Sequence, residues 1–446
     1  MERLSRLADA LGRFTARVVP SAFSIAVLLT FVTFALALGW GHASLALVLR
    51  GWGDGFWELL SFSMQMAVVM FTGYLLALSA PVRKLLEKVA SLATSPRKAV
   101  VLMAASSMAL AYLNWGLSIV ASAMLVRFVV RRQPKVDYRL LVACAYFGLG
   151  ATWHAGLSAS APLLVATPKH FLAAELGVIP IDRTIFSPFN LGLLAVCMIV
   201  LTALPYLLHP PEGMAVTIDP ALLEGLGAFT PPARPSEKSF AIWIDHSRWL
   251  NALFALAGVA FLAPGLLEGG WRTLNINTVN FIFLIAAILL HGTPASLLKA
   301  SEEAASVLHG IVLQFPLYAG IYGVFKATGL TDKIGEAFVS VSTAKTFPAI
   351  VYWYSGLVNY FVPSGGSKWA IEAPYLLRAA KNLGVAPERV VLAYAWGDMA
   401  TDLIQPFWAL PLLAVAKIEF KEILGFLLLA FFIYVPIVSV AFLLFG

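Results

Sequence analysis

The sequence predicts an all-α integral membrane protein, built as an inverted repeat of transmembrane helices with two re-entrant hairpins and two broken helices. Of its 446 residues, 60% are hydrophobic and only 12% are charged, and many apolar runs are long enough to cross a ~30 Å hydrocarbon core. Polar breaks also recur at nearly constant offsets: Asn359 follows Asn114 by 245 positions, and Pro411-Leu412-Leu413 follows Pro162-Leu163-Leu164 by 249. Paired interruptions of this kind are typical of membrane folds whose site lies between two repeats.

At the start of the chain, apolar residues at helical spacing alternate with arginines. This pattern predicts that residues 1–19 form an amphipathic helix on the inner membrane surface rather than a signal peptide. The first repeat is expected over 20–208. Inside it, the apolar stretch 99–126 has Lys and Arg clusters on both flanks, and short basic loops stay in the cytoplasm. We therefore predict a re-entrant hairpin over 99–130 that turns at Asn114 and returns to the same side.

The later elements follow from the same reasoning. Residues 139–168 are apolar with a middle rich in Gly, Ser, Thr and His, which predicts a broken helix. The proline-rich stretch 209–248 is typical of a linker, here cytoplasmic. Because one further crossing follows it, the second repeat begins on the opposite side and is inverted. The remaining predicted elements are a connecting helix over 249–268, a second repeat over 269–446, its hairpin over 347–380 and its broken helix over 390–415.

The composition disfavours several functional classes. The net charge of +7 comes from Lys and Arg in loops beside apolar segments, which indicates membrane topology and not nucleic-acid binding. Cys144 and Cys197 lie in apolar segments and are expected to be buried. A phosphate-binding loop is missing, and the turn Gly156-Leu157-Ser158-Ala159-Ser160 lacks the final glycine of a serine-hydrolase elbow. We therefore expect no enzyme activity and no cofactor.

The hairpin tips are the predicted anion site. The second arm of each hairpin starts at the tip, so its unpaired N–H groups and the positive end of its dipole face the centre of the protein. Asparagine amides and serine hydroxyls add donors, and glycines allow close approach. The alternative is that Asn and Gly only cap and turn the hairpins. The first tip contributes Asn114, Trp115 and Gly116, and the second contributes Asn359, Ser364, Gly365, Gly366, Ser367 and Lys368.

The broken helices supply ionisable groups, which are costly inside a membrane and usually functional. Asp398 and Asp402 are four residues apart and could bind Na⁺ or carry a proton. The alternative is that one of the two aspartates forms a static ion pair with Lys368, which could also pair locally with Glu372. His154 is either a proton relay, a substrate donor or a structural donor. From these segments we predict that His154 and Ser158 bind substrate and that Thr152, Asp398, Thr401 and Asp402 hold the coupling ion.

Blocks along nearly the whole chain resemble the bacterial short-chain fatty-acid transporters (acetoacetate and butyrate uptake type) of the ion-transporter superfamily. These blocks are Trp52-Gly53-Asp54-Gly55-Phe56-Trp57, Asn114-Trp115-Gly116, Asp137-Tyr138, Asn277-Thr278-Val279-Asn280, Pro363-Ser364-Gly365-Gly366 and Gln405-Pro406-Phe407-Trp408-Ala409-Leu410-Pro411. The resemblance implies an inner-membrane homodimer, with a scaffold and a transport domain that carries both hairpins and moves as an elevator. It also implies a monocarboxylate substrate and, by analogy with the superfamily, cation-coupled uptake.

Three positions depart from what the resemblance leads us to expect. Lys368 stands where histidine is expected, Glu372 where glutamine is expected, and His154 where glycine is expected. All three change the charge of the predicted site. The leading hypothesis is a Na⁺- or H⁺-coupled transporter of short-chain carboxylates in the lipid bilayer. The alternatives are a transporter of the same fold for a dicarboxylate or amino acid, a channel, and, least favoured, an intramembrane hydrolase.

Overall fold

A computed structural model describes residues 20, 22–211, 213–223 and 229–445, and these residues are mainly helical. The amphipathic helix predicted over 1–19 lies outside the described residues. In the first part of the described chain the helices are α1 (Ala22–Gly39), α2 (Leu45–Gly55), α3 (Leu60–Leu78), α4 (Ala80–Ala90), α5 (Pro96–Leu113), α6 (Trp115–Arg132), α7 (Tyr138–Ala151), α8 (Ser160–Val165), α9 (Ala173–Leu176) and α10 (Pro188–Leu208).

The second part of the described chain continues in the same way. Its helices are α11 (Phe240–Asp245), α12 (Arg248–Gly269), α13 (Ile276–His291), α14 (Pro294–Ala305), α15 (His309–Thr328), α16 (Leu330–Val341), α17 (Phe347–Phe361), α18 (Gly365–Leu383), α19 (Pro387–Ala400), α20 (Leu410–Ala416) and α21 (Phe420–Leu444). Short 3₁₀ turns cover Trp153–Ala155, Ile181–Arg183, Pro220–Leu223, Gly270–Thr273, Thr401–Ile404 and Phe407–Ala409.

Several of these segments are long and apolar enough to cross a membrane. Among the described residues five qualify, and two bent pairs raise the number to as many as seven if each pair is one span. The pairs are α14 with α15, bent by 52°, and 387–404 with 407–416, bent by 68°. Helical structure, apolar helices and broken helix pairs confirm the predicted class, a multi-pass all-α membrane protein. The five segments that qualify on their own are 60–78, 138–165, 188–208, 248–273 and 420–444. The segment 138–165 contains α7, a short 3₁₀ turn and α8.

Two parts of the chain repeat one order of elements. In each, two helices joined by a tight turn are followed by a helix that breaks and then resumes. The first series is α5, α6, α7 and α8, with its turn at Asn114 and its break at 152–159. The second series is α17, α18, α19 and α20, with its turn at 362–364 and its break at 401–409.

Two glycines show that the packing is repeated as well as the order. A Cβ on Gly148 of α7 would overlap the carbonyl oxygen of Ser107 in α5, and a Cβ on Gly397 of α19 would overlap that of Tyr352 in α17. The two glycines differ by 249 in number and the two carbonyls by 245, which are the offsets found in the sequence. In both halves, therefore, the broken helix approaches the first arm of its hairpin closely at the same point.

Burial separates the centre of the molecule from its edge. In the segment 138–165, 94% of the apolar window is buried, and α19 is buried from Val390 to Ala400. In the segment 248–273 only 17% is buried, which suits a helix that faces lipid. The first break, at 152–159, is almost wholly buried, so the surrounding protein encloses its irregular backbone as a membrane requires.

Candidate functional site

The first hairpin tip is held entirely by the protein. The Asn114 side chain caps α6, since its Oδ1 accepts from the Leu117 N–H at 2.9 Å, and its Nδ2 donates to the Val69 carbonyl at 3.1 Å. The Trp115 N–H donates to Ser158 Oγ at 2.9 Å, which ties the tip to the broken helix. Gly116 packs against Met70 of α3. At this tip the predicted donors Asn114 and Trp115 N–H are therefore already used.

At the second tip Asn359 reaches the other broken helix. Its Nδ2 donates to Asp402 Oδ1 at 2.9 Å and to Thr401 Oγ1 at 3.1 Å. The second oxygen of Asp402 accepts from Trp153 Nε1 at 3.1 Å, so both halves of the chain hold this carboxylate. Thr401 Oγ1 donates to the Gly356 carbonyl at 2.9 Å. Asp402 is 1% exposed and has a neutral N–H donor on each oxygen.

His154 and Asp398 form the centre of the cluster. His154 Nδ1 lies 2.8 Å from Asp398 Oδ2, and both side chains are fully buried. The Ala161 N–H donates to His154 Nε2 at 3.3 Å, so Nε2 is an acceptor, and Ser160 Oγ lies 2.8 Å from the same nitrogen. Assigned from these bonds, the imidazole carries its proton on Nδ1 and donates it to Asp398.

Lys368 lies on the other side of Asp398. Its Nζ is 3.1 Å from Asp398 Oδ1, donates to Ser355 Oγ at 2.7 Å and to the Ser355 carbonyl at 3.2 Å, and lies 4.1 Å from the Tyr394 ring centroid. The Glu372 carboxyl is farther away, at 3.7 Å. Of the three partners considered for Lys368, which were Asp398, Asp402 and Glu372, Asp398 is thus the closest.

A small cavity lies directly in front of this cluster, with a volume of about 40 Å³. Gly365 and Gly366, the first residues of α18, line it, and their N–H groups have no partner within the helix. Most of the remaining wall is apolar or aromatic. A Cβ on Gly365 would lie 2.5 Å from Asp398 Oδ2 and 2.8 Å from His154 Cε1, so only a glycine backbone separates the cavity from the ion pair. The wall of the cavity also includes Trp115, Trp153, Ser160, Ser364 and Trp408.

The structure divides the predicted site residues into three groups. Trp115, Ser364, Gly365 and Gly366 line the cavity. A second group belongs to the buried polar cluster behind it: His154, Asn359, Lys368, Asp398, Thr401 and Asp402. The third group lies in neither place but holds the tips and breaks together: Asn114, Gly116, Thr152, Ser158 and Ser367.

In this third group the contacts join the hairpins and breaks to neighbouring segments. Thr152 Oγ1 donates to the carbonyls of Met108 and Gly148, at 2.9 and 3.2 Å, which closes the end of α7. Ser367 Oγ contacts Ser364 Oγ across the first turn of α18. These hydroxyls are therefore used within the hairpins and breaks.

The predicted site left out several members of the cluster, among them Ser355 and Tyr394. Ser355 binds Lys368, and Tyr394 donates to the Gly365 carbonyl at 2.6 Å beside the cavity. The repeat contained a signal for Tyr394, which is 248 positions after Tyr146. It contained none for Ser355, because the offset of 245 that relates the first arms of the hairpins matches Ser355 to Leu110. Among the described residues, His, Cys, Asp and Glu form no group of three or more that could hold a metal ion.

Broken helices enclosed by protein, hairpin tips that meet them, and buried charges behind a small cavity define the class: a multi-pass membrane transporter fold. The chain belongs to the short chain fatty acid transporter family, whose family model matches residues 3–445. A protein of Escherichia coli K12, whose name assigns it provisionally to short-chain fatty acid transport, is 39% identical over 431 residues, 96% of each chain. A Haemophilus influenzae protein with the same name is 36% identical over 441 residues, 97% of this chain and 98% of its own.

Solved structures show the same fold at low identity. The Alcanivorax borkumensis YdaH transporter matches with a TM-score of 0.56 and 16% identity, over 94% of this chain and 98% of its own. Neisseria gonorrhoeae MtrF, described as illuminating a class of antimetabolite efflux pumps, matches with a TM-score of 0.50 and 16% identity, over 98% and 96%. At this identity the likeness concerns the fold alone.

Proposed function

We propose that this protein is a secondary active transporter that carries short-chain monocarboxylates across the inner membrane by Na⁺ or H⁺ symport. The observation that carries the proposal is the N-terminus of α18 at Gly365 and Gly366, which faces a small aromatic cavity immediately in front of the Asp398–Lys368 pair. Membership of the short chain fatty acid transporter family supports the substrate class.

The carboxylate of the substrate binds at Gly365 and Gly366. Unpaired backbone N–H groups and the helix dipole favour an anion at this position without a full positive charge. The hydroxyl of Ser364 lies at the same edge of the cavity. The short alkyl chain lies among the indoles of Trp115 and Trp408, whose ring centroids are 5.3 Å apart. A cavity of about 40 Å³ favours short chains, and a larger acid requires these walls to move apart.

Asp398 and Asp402 belong to the coupling machinery, together with Thr401. Both aspartates are at most 1% exposed, and a buried carboxylate without compensation costs several kcal/mol. Lys368 compensates Asp398, whereas Asp402 receives only neutral donors. A cation or a proton that enters with the substrate compensates the remaining negative charge.

The repeats are inverted and the two hairpins move together as an elevator in a homodimer. The repeated order α5 to α8 and α17 to α20, with its repeated glycine packing, supports this arrangement. The exposed apolar surface of α12 is available to lipid or to a scaffold of the second subunit. Crosslinking between cysteines on α12 and on α18 at opposite membrane potentials tests whether the two helices change their relative height.

A direct test is a thermal-shift screen of the purified protein with carboxylates of two to six carbons, each with and without Na⁺. The hits are then tested for uptake into proteoliposomes. We expect stabilisation and uptake with monocarboxylates of the shorter lengths. Dicarboxylates or amino acids as the only hits would assign the fold to another solute, and flux that does not saturate with concentration would indicate a channel.

As a matched variant pair, we choose Trp115→Phe inside the cavity and Trp243→Phe, whose side chain is 46% exposed and lies in α11. A smaller ring at position 115 enlarges the cavity, so the preferred acid should become longer. Trp243→Phe should leave the chain-length preference unchanged. The shift in preference distinguishes a substrate pocket from a residue that only stabilises the fold.

A further inference from the structure

Glu372 is the buried carboxyl whose charge the cluster does not satisfy. It is 1% exposed, and neither of its oxygens has a hydrogen-bond partner. An ionised carboxylate in such a position is unfavourable, since burial removes water and no hydrogen bond replaces it. In contrast, Asp402 accepts a hydrogen bond on each oxygen, and Asp398 lies between Lys368 and His154.

Lys368 does not supply the missing bond in this conformation. An ammonium group has three N–H donors. Lys368 Nζ donates to Ser355 Oγ at 2.7 Å and to the Ser355 carbonyl at 3.2 Å, and it lies 3.1 Å from Asp398 Oδ1 as an ion pair without a hydrogen bond. Glu372, at 3.7 Å, is left without a donor, although one helical turn places it within reach of the same ammonium group.

A sodium ion does not fit the cluster as well as a proton. Na⁺ needs a cage of oxygen atoms, whereas each oxygen of Asp402 faces an N–H donor and Asp398 faces Lys368 Nζ and His154 Nδ1. A proton needs only a carboxyl oxygen without a donor. Both oxygens of Glu372 meet this condition, and Glu372 is farther from the Lys368 ammonium group than Asp398 is. Besides Lys368, the titratable groups in electrostatic range of Glu372 are Tyr375 on α18, Asp398 and Tyr394 on α19, and Tyr354 on α17, with His154 bonded to Asp398.

We propose that Glu372 is the proton-binding residue of a proton–carboxylate symporter and that Lys368 switches between Asp398 and Glu372. The proposal rests on the transport function proposed above and names its coupling ion. When a hydronium ion protonates Glu372, water is released and Lys368 stays on Asp398, as the structure shows. When Glu372 gives its proton back to water, its carboxylate attracts Lys368, and Asp398 loses its cation.

The switch couples the proton to the substrate because Asp398 lies directly behind Gly365. With Lys368 on Asp398, the carboxylate directly behind Gly365 is compensated, and a substrate carboxylate can approach the α18 N-terminus. With Lys368 on Glu372, Asp398 repels the incoming anion. Protonation of Glu372 therefore raises the affinity for substrate, and by thermodynamic reciprocity the bound substrate raises the affinity for the proton.

The experiment uses the full-length protein and compares Glu372→Gln with Glu302→Gln, which removes an exposed carboxylate paired with Lys299. In proteoliposomes we measure uptake of a labelled short-chain acid driven by a pH gradient alone or a Na⁺ gradient alone, and exchange without a gradient. We expect Glu372→Gln to exchange substrate at a rate within a few-fold of wild type but to lose pH-driven accumulation. Its affinity should not change with pH. Glu302→Gln should behave like wild type.

A second measurement does not depend on transport. Infrared difference spectra of wild-type protein at neutral pH should contain the carbonyl stretch of a buried carboxylic acid, and Glu372→Gln and Glu372→Met should both lack it. If wild type accumulates substrate on a Na⁺ gradient alone, or if Glu372→Gln keeps pH-driven accumulation and the infrared band, the proton assignment is wrong while transport stands. If wild type moves no carboxylate, the transport proposal fails, and the infrared spectra alone decide whether Glu372 is protonated.

Discussion

Replacement of Lys368 by methionine should destabilise the protein more than almost any other single loss of charge in the described structure. Methionine approximates the length of the lysine chain but removes the ammonium group. Lys368 and Asp398 are at most 1% exposed, so water does not screen the charge that remains. In Lys368→Met, Asp398 keeps only the Nδ1–H of His154 as a donor, whereas Ser355 Oγ still donates to the Tyr394 carbonyl at 3.0 Å.

The expected size follows from this burial. Breaking a buried ion pair by removing one partner typically costs about 3–5 kcal/mol, because the other charge stays buried without compensation. The double variant Lys368→Met/Asp398→Asn removes both charges and should recover at least ~2 kcal/mol of that loss. The matched control is Lys326→Met, which breaks the pair with Glu58 at 3.0 Å. There the side chains are 61% and 34% exposed, and we expect a cost of about 0–1 kcal/mol.

The assay is equilibrium unfolding of the purified protein in detergent, followed by tryptophan fluorescence, for the two single variants, the double variant and the control. A double-mutant cycle then gives the interaction between positions 368 and 398. The reasoning would be refuted if Lys368→Met cost no more than Lys326→Met. It would equally be refuted if the double variant were no more stable than Lys368→Met, since the buried carboxylate would then not be the source of the loss.

Three further outcomes are expected. Asn114→Ala should lower the free energy of unfolding by about 1–2 kcal/mol through loss of the α6 cap, and should weaken substrate binding little; a large loss of affinity with unchanged stability would place Asn114 in the binding site instead. Gly397→Ala should abolish folded, monodisperse protein in size-exclusion chromatography, because its Cβ overlaps the Tyr352 carbonyl, and a normal elution profile would contradict that packing. Leu113→Cys and Phe361→Cys, beside the two tips and 43% and 48% exposed, should react with an impermeant thiol reagent from the cytoplasmic and the outer side respectively, in a background without native cysteines. Labelling of both from one side would rule out the inverted repeat.

The sequence determined the class of the protein, because the membrane imposes conditions that any chain must meet locally. Apolar runs of sufficient length, and glycine or proline at their interruptions, are visible without any knowledge of tertiary contacts. The constant offsets between the two repeats were visible in the sequence for the same reason. In the structure Gly148 packs against α5 and Gly397 packs against α17 at those offsets. The basic flanks of residues 99–126 predicted a hairpin, and α5 and α6 are two helices that meet at Asn114.

The partners of the buried polar residues were decided by tertiary structure alone. Asn114 and Asn359 occupy matching places in the sequence, yet one binds the Val69 carbonyl and the other binds Asp402. The adjacent residues Trp153 and His154 likewise form hydrogen bonds to different carboxylates, Trp153 to Asp402 and His154 to Asp398. Helical spacing shows which side chains share a face of one helix, but these bonds join helices that are more than 40 residues apart in the chain.

Lys368 shows the physical reason most clearly. The sequence left three partners open for Lys368: Glu372, four residues away in α18, and either Asp398 or Asp402. In the structure the ammonium group donates twice to Ser355 of α17 and lies 3.1 Å from Asp398 of α19, whereas Glu372 stays farther away at 3.7 Å and has no hydrogen bond. The distances from Lys368 Nζ to the two carboxylates are 3.1 Å and 3.7 Å, a difference of less than 1 Å. Only the packed fold sets such a difference, and it decides which carboxylate the buried cation compensates.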